Sequence, residues 1–186
     1  MSILLETELY SLILAPILSS PSMTRQECER MAARALAWEL IGEKCEIGHY
    51  PDGAPYLSGH EEIAISVSHS STTCAFGLAS SPRPFGIDIE APRPQLERVR
   101  SRFLTTEETA GFDAITAATG KMEFLLKCWT AKEAVYKAAR TPGLGLKEIH
   151  LDKGLTRAET PGARYGLSYH GADDGQIICV ACGEVS

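Results

Sequence analysis

The pattern that most constrains the fold of this chain is a strict alternation of apolar and acidic residues at positions 86–90, which read GIDIE. Successive side chains of a strand point to opposite faces, so Ile87 and Ile89 share one face and Asp88 and Glu90 share the other. The apolar face predicts a strand that packs on a core. Two interpretations of the acidic face remain open: exposed acids on an antiparallel edge strand, or a carboxylate pair that borders a cleft.

A long helix is predicted from about residue 121 to about residue 140, and residues 129–137 within it read WTAKEAVYK. Apolar side chains recur at helical spacing and predict a core-facing stripe. Glu133 and Lys137 lie one turn apart, as in many solvent-exposed pairs, but a cleft wall would use the same spacing. Together the strand and the helix present three carboxylates and a lysine, the set that holds a hard divalent cation against a pyrophosphate.

The remaining pattern predicts an α+β protein with two similar halves. Thr24 and Glu27 form a capping box that starts a helix running to about Ile41. Each half has a helix and a strand–turn–strand unit, and the halves are related by a pseudo-twofold axis in this hypothesis. We place the boundary at the Pro-rich segment after residue 91, which gives halves 1–91 and 92–186. A helix capped by Thr105 or Thr106 is also predicted, and the strands are predicted at 63–69, 74–78, 86–90, 146–151, 165–170 and 176–182.

Composition excludes several classes of protein. The formal net charge of −6 argues against nucleic-acid binding as the main role. No apolar run is long enough to predict a membrane span, and Glu6 and Glu8 precede the apolar segment 12–18 without a basic region, so no signal peptide is expected. The six cysteines occur in helix and strand patterns typical of buried thiols, and a metal site at Cys179 and Cys182 is not favoured. We expect a reduced, cytoplasmic protein.

Two further segments have both a structural and a functional interpretation. His69 follows Ser66 and Ser68 on a predicted strand and precedes a hydroxyl-rich turn, so it is either a buried histidine or a phosphate contact. Residues 93–102 contain four arginines and one acid. This segment is either a solvated loop and helix start or a basic patch for an acidic partner.

These residues resemble the signatures of the 4′-phosphopantetheinyl transferase superfamily, of the two-repeat type that activates surfactin synthetase. The family has a strand of the form G-(I/V)-D-(I/V)-E and a helix of the form W-(S/T)-x-K-E-(A/S)-x-x-K, matched here by residues 86–90 and 129–137. An upstream S-x-S-H segment is matched by residues 66–69. The order and the separations agree over roughly residues 50–150.

The resemblance implies transfer of phosphopantetheine from coenzyme A to a serine of an apo acyl or peptidyl carrier protein, with release of 3′,5′-ADP. It implies Mg²⁺ held by Asp88, Glu90 and Glu133, and a role for Lys137 beside the pyrophosphate. Lys132 matches a second lysine of the family helix, and Ser68 and His69 match the segment that contacts the 3′-phosphate of coenzyme A. The general base is either Glu133 or a water held by the metal. We expect a pseudo-dimeric monomer with the active site between its halves.

One position departs from the family pattern. Many members have a lysine in a Gly-Lys-Pro turn that reaches the 3′-phosphate, and this chain has Ala54 there. Loss of a charge-assisted contact costs about 1.5–3 kcal/mol unless another base compensates. Ala54 and the acidic net charge leave open a binding module for coenzyme A or carrier protein that performs no chemistry. A metal-dependent nucleotide hydrolase is a third possibility.

Overall fold

The computed structural model describes residues 2–184 and has a mixed α+β fold. The helices are α1 (Arg25–Ile41), α2 (Gln95–Val99), α3 (Thr106–Ala114) and α4 (Ala118–Ala139). The strands are β1 (Ile3–Glu6), β2 (Tyr10–Pro16), β3 (Ile47–His49), β4 (Pro55–Leu57), β5 (Ile65–His69), β6 (Thr73–Ala79), β7 (Phe85–Glu90), β8 (His150–Leu151), β9 (Arg157–Glu159), β10 (Arg164–Gly171) and β11 (Ile177–Gly183). Short 3-10 helices occupy Arg100–Arg102, Leu146–Glu148 and Asp173–Gly175.

Two antiparallel sheets form the body of the molecule. The first has the strand order β1-β2-β6-β5, and the second has the order β7-β11-β10-β9-β8. Strands β3 and β4 form a separate two-stranded ribbon. The strand β7 therefore pairs with β11, in the register Asp88 opposite Cys179, although it precedes residue 91. The division into halves 1–91 and 92–186 stays a prediction. The strand β7 precedes that boundary, but it belongs to the same sheet as the strands that follow it.

The two sheets face each other across a shared apolar core. Leu12 and Leu14 of β2 pack in one cluster with Ile87 and Ile89 of β7 and with Val180 of β11. The opposite face of the first sheet packs on α1, and the opposite face of the second sheet packs on α4. The molecule is therefore layered as helix, sheet, sheet, helix, and β7 lies between the central core and α4.

Local sequence signals mark both ends of α1 and the start of α3. The Thr24–Glu27 capping box is formed, and Gly42 ends α1 in the left-handed conformation. Thr105 caps α3 through a second capping box with Glu108. The predictions of α1, α3, α4, β5, β6, β7 and the β10–β11 hairpin are confirmed as elements. The predicted strand at 146–151 is wrong over its first half, because a 3-10 helix occupies Leu146–Glu148, and the paired strand is limited to His150–Leu151.

All six cysteines are free and buried. Cys179 and Cys182 lie on opposite faces of β11, one toward α4 and the other toward the first sheet. Burial raises the pKa of the Cys182 thiol to about 11 and that of Cys74 to about 12. These thiols act as small apolar core groups. Among the helices formed by residues 2–184, none combines the length and the apolar character needed to span a membrane.

Candidate active site

The helix α4 passes directly over β7 because β7 has a glycine at the crossing point. A Cβ atom built on Gly86 would lie 2.1 Å from the carbonyl oxygen of Ala134 and 2.7 Å from the amide nitrogen of Ala138. Gly86 points to the same face of the strand as Asp88 and Glu90. The acidic face of β7 thus lies under α4, next to the turn that carries Glu133 and Lys137, and the strand is not a solvent-exposed edge.

A seam of serine hydroxyls joins β5 to β7, where the two sheets meet. The backbone N–H of Ile87 donates to Ser66 Oγ at 3.0 Å, and that of Ile89 donates to Ser68 Oγ at 3.2 Å. Both serines are buried. Because the partners advance together along the chain, the strands run side by side in the same direction. The hydroxyls supply the acceptors that a paired strand would supply through its carbonyl groups.

Lys137 is held against β7 by three acceptors. Its Nζ lies 2.8 Å from Asp88 Oδ1, 3.0 Å from the carbonyl oxygen of Ile87 and 3.1 Å from Ser68 Oγ. Ser68 in turn donates to Asp88 Oδ1 at 2.9 Å, and Asp88 is 8% exposed. The structure therefore brings together three predicted site residues: Ser68 from the first sheet, Asp88 from the second sheet and Lys137 from α4.

Glu133 and Glu90 are the other two carboxylates of the predicted site. Burial raises the pKa of Glu133, and the charges of Asp88 and then of Glu90 raise it further, against the lowering effect of Lys137. Burial also raises the pKa of Glu90, which pairs with Arg93 at 2.7 Å. Burial and the charge of Asp88 disfavour the charged forms of both glutamates, so a cation placed beside them would be stabilising.

The three carboxylates are of the type that binds Mg²⁺, but two of them form ion pairs with protein side chains in this structure. Within residues 2–184, no three side chains of the His, Cys, Asp and Glu types are grouped so that they could hold a metal ion. Asp88 faces Lys137 and Glu90 faces Arg93, whereas Glu133 has no ion pair or side-chain hydrogen bond with a described residue. The donors are hard carboxylate oxygens, as Mg²⁺ requires. An ion at this position would share Asp88 with Lys137, which bonds to Oδ1 only, and would compete with Arg93 for Glu90.

A cleft of about 1370 Å³ opens beside Lys137. His69 lies on its wall at the end of β5, with its side chain half exposed and its Nε2 3.3 Å from Glu29 Oε2. Arg25 of α1 donates to the carbonyl oxygens of Ser70 and Ser71 and so fixes the turn that follows His69. His69 therefore faces open space rather than a packed core, as the functional interpretation requires.

Sequence reasoning missed the arginines that line this cleft. Arg140, which follows the last turn of α4, has a left-handed backbone with φ of 47° and reaches across the opening. Its guanidinium pairs with Asp52 at 2.8 Å and lies 4.5 Å from the centroid of the Tyr50 ring. Ala54 lies in the same turn as Asp52. Arg30 and Arg34 of α1 also line the cleft. The i, i+4 arginine spacing on α1 was a readable signal, whereas the position of Arg140 depends on tertiary structure.

Lys132 has a different environment from the other predicted site residues. It is 0% exposed, and its Nζ lies 2.8 Å from Glu108 Oε2 and donates to the carbonyl oxygens of Leu146 and Ile149. These three contacts use all the donors of the ammonium group. The side chain joins α4 to α3 and to the segment after α4, and it does not line the cleft. We leave it out of the proposed ligand contacts.

The arginine-rich segment lies beside the carboxylates. Arg93, which pairs with Glu90, also lies 5.8 Å from the Trp129 ring of α4, and Arg98 on α2 and Arg102 are exposed. Arg100 lies 5.3 Å from the Phe112 ring. The patch is therefore built on an apolar base formed by α3 and α4, at the edge of the acidic group.

Comparison with known proteins identifies one family. Residues 84–180 match the model of the 4′-phosphopantetheinyl transferase superfamily. A search of curated proteins gives no match. Among solved structures, the holo-[acyl-carrier-protein] synthase of Thermotoga maritima is similar at 18% identity, with a TM-score of 0.42. That alignment covers 55% of this chain and 64% of the other, less than two thirds of its length.

The family match begins one residue before β7 and ends within β11, so it contains the acidic strand, the basic patch and the whole of α4. It covers slightly more than half of the 186 residues. The chain belongs to the 4′-phosphopantetheinyl transferase superfamily.

Proposed function

We propose that this protein transfers the 4′-phosphopantetheine group of coenzyme A to a serine hydroxyl of an apo acyl or peptidyl carrier protein and releases 3′,5′-ADP. The observation that carries the proposal is the packing of α4 on β7 through Gly86, which sets Glu133 and Lys137 beside Asp88 and Glu90. The cleft that begins at Lys137 offers room for a nucleotide. Membership of the family supports the same chemistry.

Asp88, Glu90 and Glu133 are the residues we assign to Mg²⁺. When bound, the ion neutralises pyrophosphate charge and orients the reacting phosphorus. In the reaction the serine oxygen forms a bond to the phosphorus on the pantetheine side, and the bond from that phosphorus to the oxygen of 3′,5′-ADP breaks. We assign the serine proton to Glu133, because this half-buried carboxylate has no ion pair or side-chain hydrogen bond with a described residue that would compete for the proton. Lys137 neutralises the charge that develops on the leaving group.

We assign the phosphate at the far end of coenzyme A to the cleft wall formed by His69 and Arg140. His69 is exposed to the cleft at the end of β5. Arg140 lies in contact with the turn that contains Ala54, so it supplies a positive charge where the family pattern has a lysine. A phosphate there competes with Asp52 for Arg140 and with Glu29 for His69.

The basic patch formed by Arg93, Arg98, Arg100 and Arg102 is the surface we assign to an acidic carrier protein. It borders Glu90, so a carrier docked there presents its serine close to the carboxylates. Replacement of Arg98 and Arg102 by Glu should raise KM for the carrier and leave the affinity for coenzyme A unchanged. An unchanged KM would remove this surface from the proposal.

We propose that the chain acts as a pseudo-dimeric monomer with the cleft between its two halves. Each long helix covers the outer face of one sheet, which is the layering that a pseudo-twofold axis would generate. The six unpaired thiols support a reducing compartment such as the cytoplasm. Light scattering of the purified protein would test the monomer, and a stable dimer or trimer would contradict it.

Transfer is tested by mixing the protein with coenzyme A, Mg²⁺ and a panel of apo carriers from fatty-acid, polyketide and peptide synthesis. We expect mass spectrometry to show addition of one phosphopantetheine group to at least one carrier. A carrier whose acceptor serine is replaced by alanine is the control for the carrier, and Asp88→Asn is the control for the enzyme. No mass change with any carrier would reject the proposal.

A second candidate is a module that binds coenzyme A or a carrier without chemistry. The pairing of Asp88 with Lys137 and the absence of a ready three-residue metal group in residues 2–184 favour it. Calorimetry separates the two functions. If Mg²⁺ increases the affinity for coenzyme A, the transferase is supported. If Mg²⁺ does not change that affinity and the protein modifies no carrier, the binding module is supported.

A further inference from the structure

We propose that Ser68 is a positioning residue that holds Asp88 and Lys137 in one fixed arrangement, whereas Ser66 on the same strand serves only to join the sheets. This inference rests on the proposed function. It assigns to Ser68 a role different from the direct coenzyme A contact implied by the resemblance, because the hydroxyl has no hydrogen-bonding capacity left for a ligand.

The two serines make the same contact to the backbone. Each lies on β5 and is nearly inaccessible, with Ser66 3% and Ser68 6% exposed. Each hydroxyl accepts one N–H of β7, from Ile87 and Ile89 respectively. Removal of either hydroxyl leaves one buried N–H without its acceptor, so this part of the folding cost should be similar at the two positions.

Only Ser68 also contacts charged groups. A hydroxyl has one donor and two acceptor positions, and Ser68 uses all three. It donates to Asp88 Oδ1 at 2.9 Å and accepts from Ile89 N–H and from Lys137 Nζ, the latter at 3.1 Å. One oxygen thus fixes a carboxylate and an ammonium group relative to the rigid seam between the sheets. Groups that form hydrogen bonds to a metal ligand, without contacting the metal, affect both metal affinity and turnover.

The experiment compares Ser66→Ala with Ser68→Ala in the full-length protein, and uses Ser68→Thr as the conservative variant. We expect both alanine variants to lower the unfolding midpoint in urea, Ser68→Ala by more than Ser66→Ala, because only Ser68 also bonds to Asp88 and Lys137. Ser66→Ala should keep a kcat close to that of the wild-type protein. Ser68→Ala should lose about 10–100-fold in kcat or in Mg²⁺ affinity measured by calorimetry, with KM for the carrier unchanged. Ser68→Thr, which retains the hydroxyl, should recover most of the loss.

Equal kcat and equal Mg²⁺ affinity in the two alanine variants would overturn the assignment. A double-mutant cycle decides the question without any activity, because it is read from urea unfolding in the absence of coenzyme A and Mg²⁺. We expect Ser68→Ala and Lys137→Met to be non-additive, and Ser66→Ala and Lys137→Met to be additive. Additivity at Ser68 would reject its positioning role. A wild-type protein that modifies no carrier would instead reject the proposed function, while the cycle still reports on Ser68.

Discussion

At the scale of single residues, Glu133 has an electrostatic environment that favours its neutral form. Its pKa is raised above the ordinary 4.5 by burial and by the charges of Asp88 and Glu90. The ionised form is therefore less favourable in the folded chain than in the unfolded chain. This charge lowers stability at pH values above the ordinary pKa, and the cost disappears as the pH falls below it.

In the absence of divalent cations, Glu133→Gln should raise the urea midpoint at neutral pH, because it removes a charge that burial and two neighbours disfavour. The gain should shrink as the pH falls toward 4.5, the ordinary glutamate value, and be absent below it. The same variant should abolish transfer, since the amide can neither accept the serine proton nor carry a ligand charge. Glu123→Gln, at an exposed position of the same helix, is the matched control and should change neither property. A lower midpoint for Glu133→Gln at neutral pH would contradict the account.

Arg140 provides a test of the proposed phosphate contact. Arg140→Ala should weaken binding of coenzyme A by about 10-fold, the lower end expected for one charge-assisted contact at a half-exposed side chain. Binding of dephospho-coenzyme A, which lacks the 3′-phosphate, should not change, because the contact is absent from that ligand. Calorimetry measures both affinities, with the exposed Arg157→Ala variant as control. An equal loss of affinity for the two ligands would show that Arg140 does not contact the 3′-phosphate.

At the scale of elements, the contact between α4 and β7 sets the geometry of the whole site. The helix backbone lies on Gly86 with no room for a side chain, so the strand and the helix cannot separate or rotate without moving Asp88 relative to Lys137. The alternation in residues 86–90 predicted which side chains share a face. The presence of α4 on that face was implied by the resemblance and by no local pattern, since it depends on the pairing of β7 with β11.

Gly86→Ala should lower stability by about 1–3 kcal/mol, the usual cost of overpacking, because the new methyl group overlaps the carbonyl oxygen of Ala134. It should also reduce transfer, since α4 must shift away from β7. Gly166→Ala on β10, where a Cβ meets no atom within 4 Å, is the matched control. Urea unfolding and the carrier assay report the two effects. Equal stability of the two variants would show that the helix has room to move.

The buried pair of Lys132 and Glu108 joins α4 to α3. Loss of one partner of such a pair leaves an uncompensated charge and costs about 3–5 kcal/mol. Lys132→Met should therefore be strongly destabilised in urea, and the double variant Lys132→Met with Glu108→Leu should recover part of the loss. Affinity for coenzyme A should be unchanged in any of these variants that folds. A stable Lys132→Met protein with weak coenzyme A binding would support the direct contact that the resemblance implies.

The sequence predicted the elements with strong local signals and missed those without them. Helix-capping residues identified α1 and α3, and strict alternation identified β5 and β7. The segment 146–151 was assigned as a strand from its apolar residues, but Glu148 caps its own turn through the N–H of Gly145, which favours a 3-10 helix. The direct neighbours of Lys132 and Arg140 come from segments that are distant in the chain, so no local pattern could indicate them.

At the scale of the whole molecule, a hydrogen bond links the first sheet to the end of the second. Tyr10 Oη lies 2.6 Å from His170 Nε2, and these residues are 160 positions apart in the sequence. Burial lowers the pKa of His170 below its ordinary 6.5. The unfolded chain therefore takes up this proton first, so stability is present above the ordinary pKa and is lost as the pH falls toward the folded-state value.

His170→Gln should make stability less dependent on pH between about pH 7 and pH 5, because glutamine can bond to Tyr10 and does not titrate there. The measurement is the urea midpoint across that range. His150→Gln, at an exposed position, is the control and should retain the wild-type slope. An unchanged slope for His170→Gln would mean that other groups cause the acid sensitivity.

Because all six cysteines are buried, their chemical labelling can report when parts of the native structure open. None is more than 7% exposed. Cys28, Cys45 and Cys74 belong to the part of the chain before β7, and Cys128, Cys179 and Cys182 belong to the part after it. A thiol-alkylating reagent can modify them only when the surrounding layer separates. The number of labels per molecule can be followed over time by intact mass. Separate opening of each part gives species with three labels, whereas concerted opening gives species with six.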